Sequence, residues 1–172
     1  MSSRRGVTVL EVVVVAAITA LIAAAVIVPT YSTYSRARAA RDAGAALAQD
    51  LALLERSAQN GLDMQGATLE IDSLSPLGYS CYHGRPAELD PHTTLGTLIV
   101  KRTFADVSLG TGPINVATPL LFASNGSAQY FDGTQWVEQH GPPVAFALTP
   151  TTDPGHPVAV TLDLFTGEVT AP

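Results

Sequence analysis

The residue types able to do chemistry are few and scattered in this 172-residue chain. Four histidines (His83, His92, His140, His156) and one cysteine, Cys81, are its soft metal ligands. Cys81-x-His83 could open a zinc site, but no second ligand pair stands at zinc spacing. Neither a Gly-x-Ser-x-Gly nucleophile turn nor a His-Glu-x-x-His pair occurs. No Asp-rich loop offers the oxygen cage that calcium takes. The sequence therefore predicts no catalytic residue, no metal and no cofactor, and Cys81 reads as a small buried residue. Asn125-Gly126-Ser127 fits a glycosylation sequon, although a tight turn accounts for the same residues. Trp136 and Tyr130 read as core. One residue stands out by its setting. Glu11 lies inside an apolar run, where at membrane depth a carboxylate costs on the order of 3 kcal/mol.

The elements that must position these residues begin with that run. The chain is 47% hydrophobic and only 14% charged, against about 25% charged in an ordinary soluble domain. The excess is local: Val7 to Val28 is interrupted only by Thr8, Glu11 and Thr19. At about 1.5 Å per residue the run is ~33 Å long, roughly one hydrocarbon core, and predicts a membrane-spanning helix. Arg4 and Arg5 precede it, and Arg36, Arg38 and Arg41 follow, so charge alone leaves the orientation open. The small leader is the part more easily held in the cytoplasm. A secretory signal with Ala23–Ala25 at the cut, a twin-arginine signal at Ser3-Arg4-Arg5, and a plain anchor all fit parts of the pattern. The length of the run and Glu11 count against the two signal-peptide readings.

Pro29 removes a backbone hydrogen bond and predicts a helix kink rather than a stop. Beyond it Ala40, Ala43, Leu47, Leu51, Leu54 and Ala58 recur at steps of three or four, which predicts a helix with one buried face. Arg38 and Asp42 form an i,i+4 pair, and the three arginines at 36, 38 and 41 read as a solvated face or headgroup contacts. Asn60-Gly61 is a helix stop. One helix from Val7 to about Ser57 would be ~75 Å long. The rest reads as antiparallel β. Residues 72–97 hold closely spaced breakers and predict a loop region. Leu98 to Phe104 is a strand, and Asn125-Gly126 joins Pro119–Ala123 to Ser127–Phe131 as a hairpin. Asp132-Gly133 turns into Gln135–Glu138. Pro142-Pro143 marks a break before the strand Val144–Leu148. Val158–Leu164 follows, and Thr166-Gly167 closes a last hairpin. The expected fold class is α+β: a long N-terminal α-helix, its first half membrane-spanning, packed on a C-terminal antiparallel β-sheet or small β-sandwich.

The N-terminal pattern Arg5-Gly6-Val7-Thr8-Val9-Leu10-Glu11 resembles the leader of type IV pilins and of the pseudopilins of type II secretion. Pro29, with Tyr31 and Tyr34, extends the likeness over residues 4–41; Val7 departs from the family's usual Phe or Met. The resemblance implies cleavage by a prepilin peptidase between Gly6 and Val7, N-methylation of Val7, and Glu11 setting the register of assembly. It implies a cleaved leader (1–6), a transmembrane or filament-core helix (7–28), an amphipathic continuation (29–60) and a β-rich head (61–172). The implied partners are prepilin peptidase, other pilin or pseudopilin subunits, an inner-membrane assembly platform and the lipid bilayer. The implied location is the bacterial inner membrane, single-pass, with the head in the periplasm or outside. Leu120-Leu121-Phe122-Ala123-Ser124-Asn125-Gly126-Ser127-Ala128 and Leu164-Phe165-Thr166-Gly167-Glu168-Val169 are similar to the H-type pseudopilins and FimT-like minor pilins, Glu168 standing where that group has arginine. A single cysteine excludes the disulfide that closes many major pilins.

Charge separates the remaining readings. The net charge is −6. Residues 57–172 hold three basic side chains (Arg85, Lys101, Arg102) against eleven acidic ones. Phosphate binding needs clustered positive charge, so nucleic acid is disfavoured as a partner. The expected function is a non-enzymatic structural subunit, a minor pilin or pseudopilin in an initiation or tip complex. An exported or anchored β-domain that binds a ligand is the alternative.

Overall fold

The computed structural model describes residues 9–60, 66–84, 86–87, 90–94, 96–110, 112–116, 118–137, 142–151, 155 and 157–171, apart from the side chains of 26–33, 36–37, 86–87 and 90–94. The chain forms two compact units, Met1–Ser35 and Arg36–Pro172. Helical backbone covers Val9–Asn60, here α1, with side chains described chiefly over 9–25 in the first unit and 38–60 in the second.

This division corrects the expected fold class. No helix among the described residues is long and apolar enough to cross a membrane. The expectations of a transmembrane helix, a single-pass chain and an inner-membrane location fall with it. The expected long helix packed on a sheet is corrected too, because the stretch that packs on strands is 38–60, in a different unit from 9–25.

Among the described residues, twelve strands follow the helix in the second unit: β1 Ala67–Leu74, β2 Leu77–His83, β3 Pro86–Ala87, β4 Asp90–Thr94, β5 Thr97–Phe104, β6 Val107–Leu109, β7 Leu120–Phe122, β8 Ala128–Phe131, β9 Trp136–Val137, β10 Val144–Pro150, β11 Val158–Leu162 and β12 Val169–Thr170. They form an antiparallel six-stranded sheet in the order β5-β2-β1-β7-β8-β9, a four-stranded sheet β12-β11-β10-β6, and the ribbon β3-β4. The chain changes sheet at the short turn between β5 and β6. Residues 72–97 hold strands rather than the expected loop. Their breakers lie between elements, as at Ser75-Pro76 between β1 and β2, in the two short strands β3 and β4, or, for Gly78, within β2 itself.

One core joins the helix and both sheets. Ala40, Ala43, Leu47, Leu51, Leu54 and Ala58 are all buried, and all but Ala40 belong to a cluster with Leu69, Ile71, Leu77 and Tyr79 of the larger sheet and Phe146, Leu148, Val160 and Leu162 of the smaller. The period-2 alternation of β10 places Val144, Phe146 and Leu148 inward. Gly44 lets the helix approach the smaller sheet: a Cβ there would stand 3.1 Å from a Val158 methyl.

Candidate functional site

The stretch 9–25 exposes an apolar surface. Val9 is 82%, Leu10 74% and Leu21 71% accessible, and Val12, Val13, Val15, Ile18 and Ile22 are exposed beside them. Thr19 Oγ1 donates to the carbonyl of Val15 at 2.8 Å, so its hydroxyl is satisfied within the helix. Glu11 presents an exposed carboxylate on the same surface. Gly6 and Val7, the expected cleavage and methylation positions, lie outside the described residues. Pro29 falls within the helical backbone, with its side chain outside the description.

The head contains a polar cluster that sequence reasoning missed. Asp50 sits on the buried face of the helix between Leu47 and Leu51, its side chain 3% accessible. The Arg102 guanidinium of β5 closes on it as a fork, Nε to Oδ2 at 2.5 Å and Nη2 to Oδ1 at 3.0 Å. Tyr79 of β2 donates its hydroxyl to Oδ2 at 2.8 Å. Tyr79 and Arg102 are cross-strand partners, so the three groups tie helix, central strand and edge strand together. Burial, then the hydrogen bond to Asp50, raises the Tyr79 phenol above its ordinary range. The hydrogen bond to Asp50 likewise holds the Arg102 guanidinium further in its charged form. The neighbouring Lys101 points to the other face of β5 and meets Asp72 at 3.2 Å, which also accepts from Ser80 Oγ at 2.7 Å. Ser57 and His83 share a hydrogen bond of 2.9 Å at the helix end. The sequence offered one clue: an aspartate within an apolar helical stripe needs a buried partner.

This geometry spends the groups that chemistry would need. Lys101 and Arg102, two of the head's three cations, are neutralised internally. Among the described residues no three His, Cys, Asp or Glu side chains gather as a metal site. His140 and His156, and the side chain of His92, lie outside the description. Arg38 and Asp42 form the expected i,i+4 pair at 3.6 Å, exposed on both sides.

Cys81 is fully buried in the core. Burial first, then the Asp50 charge, pushes its thiol from an ordinary 9.0 up to about 12. A thiolate is the reactive form, so a thiol reagent at pH 8 is expected to leave the native protein unlabelled and to label it on denaturation. The same shift fixes a pH dependence. The folded state keeps a proton that the unfolded thiol loses, so this contribution is intact below pH 9 and lost as pH rises toward 12. The slope is about 1.4 kcal/mol per pH unit, and Tyr79 adds in the same sense above 10. Urea midpoints measured from pH 7 to 11 check this; a flat profile above pH 9 contradicts it.

Three Asx turns lie among the described residues of the head. Asn125 Oδ1 accepts from Ser127 N and Oγ, Asp132 Oδ1 from Thr134 N and Oγ1 and Gln135 N, and Asp163 Oδ1 from Phe165 N and Thr166 N. Those backbone and hydroxyl donors hold the Asp132 carboxyl below its usual range. Two of the turns meet. Ala128 N donates to Leu164 O at 2.6 Å, bridging the sheets. A Cβ on Gly167 would stand 2.4 Å from the Gly126 carbonyl and 3.3 Å from Glu55. The two C-terminal motifs named from the sequence thus form one seam against the helix end.

No family model, curated protein or solved structure matches this chain. The comparisons therefore lend no support to the pilin or secretion resemblance, which rests on the motifs themselves.

Proposed function

We propose that the chain is a structural subunit of a pilin-like filament, its N-terminal helix packing against the helices of neighbouring subunits. The apolar surface of stretch 9–25 carries this reading. A helix hydrophobic all round is a helix to be covered, and covering each Val or Leu contributes roughly 1.5–3 kcal/mol. Glu11 gives that cover its register: a charge met by a partner on a packed helix specifies alignment more than it adds stability. The resemblance of residues 4–41 adds cleavage after Gly6, N-methylation of Val7, a prepilin peptidase and an assembly platform. The internal pairing of Lys101 and Arg102 weighs against nucleic acid.

Two measurements test the reading. Mass spectrometry of the mature protein is expected to find N-methylated Val7 at the terminus; uncut Met1, or a start near Ala25, overturns it. Glu11→Ala is expected to leave the head folded, since Glu11 is exposed and belongs to the other unit. Incorporation into filaments, read by cross-linking and co-purification, should fall at least about tenfold, the loss of ~1.4 kcal/mol or more. Normal incorporation of this variant would sink the role given to Glu11.

A further inference from the structure

We propose that Asn125 is an acceptor for an N-linked sugar. Asn125-Gly126-Ser127 has the Asn-x-Ser form that such modification requires, and it must be on the surface. Asn125 is exposed at the β7–β8 turn. Its turn is held from several sides. Gly126 N donates to Ala123 O at 3.0 Å, and Ala123 N to Ser127 O at 2.8 Å. Gly126 itself is buried against Gln59 of the helix. Asn125 Oδ1 accepts both the Ser127 amide, at 3.0 Å, and the Ser127 hydroxyl, at 2.9 Å. Among the described residues nothing engages its Nδ2. Two hydrogen bonds on the amide oxygen draw charge from the nitrogen and acidify its protons. The nitrogen is thereby presented outward on a rigid base.

The co-reactant is a glycosyl diphosphate. The Nδ2 of Asn125 bonds to the anomeric carbon as the carbon–oxygen bond to phosphate breaks. The diphosphate leaves with the electron pair, and the amide proton passes to a base on the transferase. The donor is either a nucleotide sugar, adding one residue at a time, or a lipid-linked diphosphate, adding a preassembled oligosaccharide. The inference stands apart from the filament reading.

The molecule carries its own control. Asp132-Gly133-Thr134 repeats the turn, with Asp132 Oδ1 accepting Thr134 N and Oγ1 at 2.8 Å each, but offers a carboxylate where the amide would be. The experiment is mass spectrometry of the full chain isolated from the cells that make it, after cleavage at aromatic residues, which releases the segment between Phe122 and Tyr130. Asn-Gly also deamidates, so the readout is the attached sugar mass and not conversion to aspartate. The expected result is a sugar on Asn125, a single residue or a larger block distinguishing the two donors, lost in Asn125→Gln and in Ser127→Ala. Asp132→Asn is expected to gain a second modified site. An unmodified Asn125 throughout overturns the proposal. A modified Asn125 with no gain in Asp132→Asn overturns the role given to the turn.

Discussion

Replacing Arg102 with alanine is expected to destabilise the head by about 3 kcal/mol, whereas replacing Lys101 should change stability by less than ~1 kcal/mol. These residues are adjacent, carry the same charge and each bind one aspartate, so the contrast isolates burial. Arg102 is 38% accessible, but its partner Asp50 is only 3% accessible. Removing the guanidinium leaves that carboxylate buried among Leu47, Leu51 and Leu54 with only the Tyr79 hydroxyl. Lys101 and Asp72 are 60% and 31% accessible, and water replaces their attraction almost without loss. Arg102→Lys should fall between, since an ammonium cannot reproduce the two-point fork. Replacing both members, as Asp50→Leu with Arg102→Met, should recover much of the loss, because well-packed apolar groups substitute for a buried pair. Urea unfolding of the four variants checks the series. Equal effects at 101 and 102 would mean that Asp50 is hydrated in solution.

Gly167→Ala is the second large effect. Gly167 has φ +74, a conformation that costs an L side chain roughly 1–2 kcal/mol. The new methyl would also stand 2.4 Å from the Gly126 carbonyl, a backbone group of a residue whose amide is held by the Ala123 carbonyl. The turn must open, and with it the Ala128–Leu164 bridge between the sheets. The expected loss is about 3 kcal/mol, the strain plus one buried hydrogen bond. Gly133 is the comparison: its φ is +103, but nothing stands within 4 Å of an added Cβ. Gly133→Ala should cost only the conformational part, about 1–2 kcal/mol. Thermal unfolding of both separates strain from collision, and equal shifts would refute the collision.

The legible parts of the fold were those written in local chemistry. The step of three and four from Ala40 to Ala58 marked the buried helix face, while Gly61 of the expected Asn60-Gly61 stop lies outside the described residues. Asn125-Gly126, Asp132-Gly133 and Thr166-Gly167 announced turns because each needs a glycine at positive φ. What failed was non-local. Residues 72–97 read as loop because breakers are counted along the chain. β2 carries little outward alternation, being buried through its first five residues, and so lacked the period that marks a strand. Asp50 and Arg102 are 52 positions apart, and neither carries a local sign of the other. The membrane-spanning helix came from counting apolar residues without their covering. Apolar composition by itself does not distinguish a protein interface from a lipid one.

The position of β5 has a consequence for solubility. An edge strand offers unpaired backbone groups to any passing chain, and a long flat one invites growth of the sheet. Among the described strands β5 is an edge over eight residues, Thr97–Phe104; a register shift against β2 at Ile99 interrupts its ladder, and its first half, Thr97-Leu98-Ile99-Val100, is rich in strand formers. Lys101 and Arg102 place one bulky charge on each face at its middle, and each is anchored by an aspartate. A foreign strand docking here would have to leave those anchored cations flanking it on both faces. The pair that fastens this strand to the molecule thus also guards it against strands from outside.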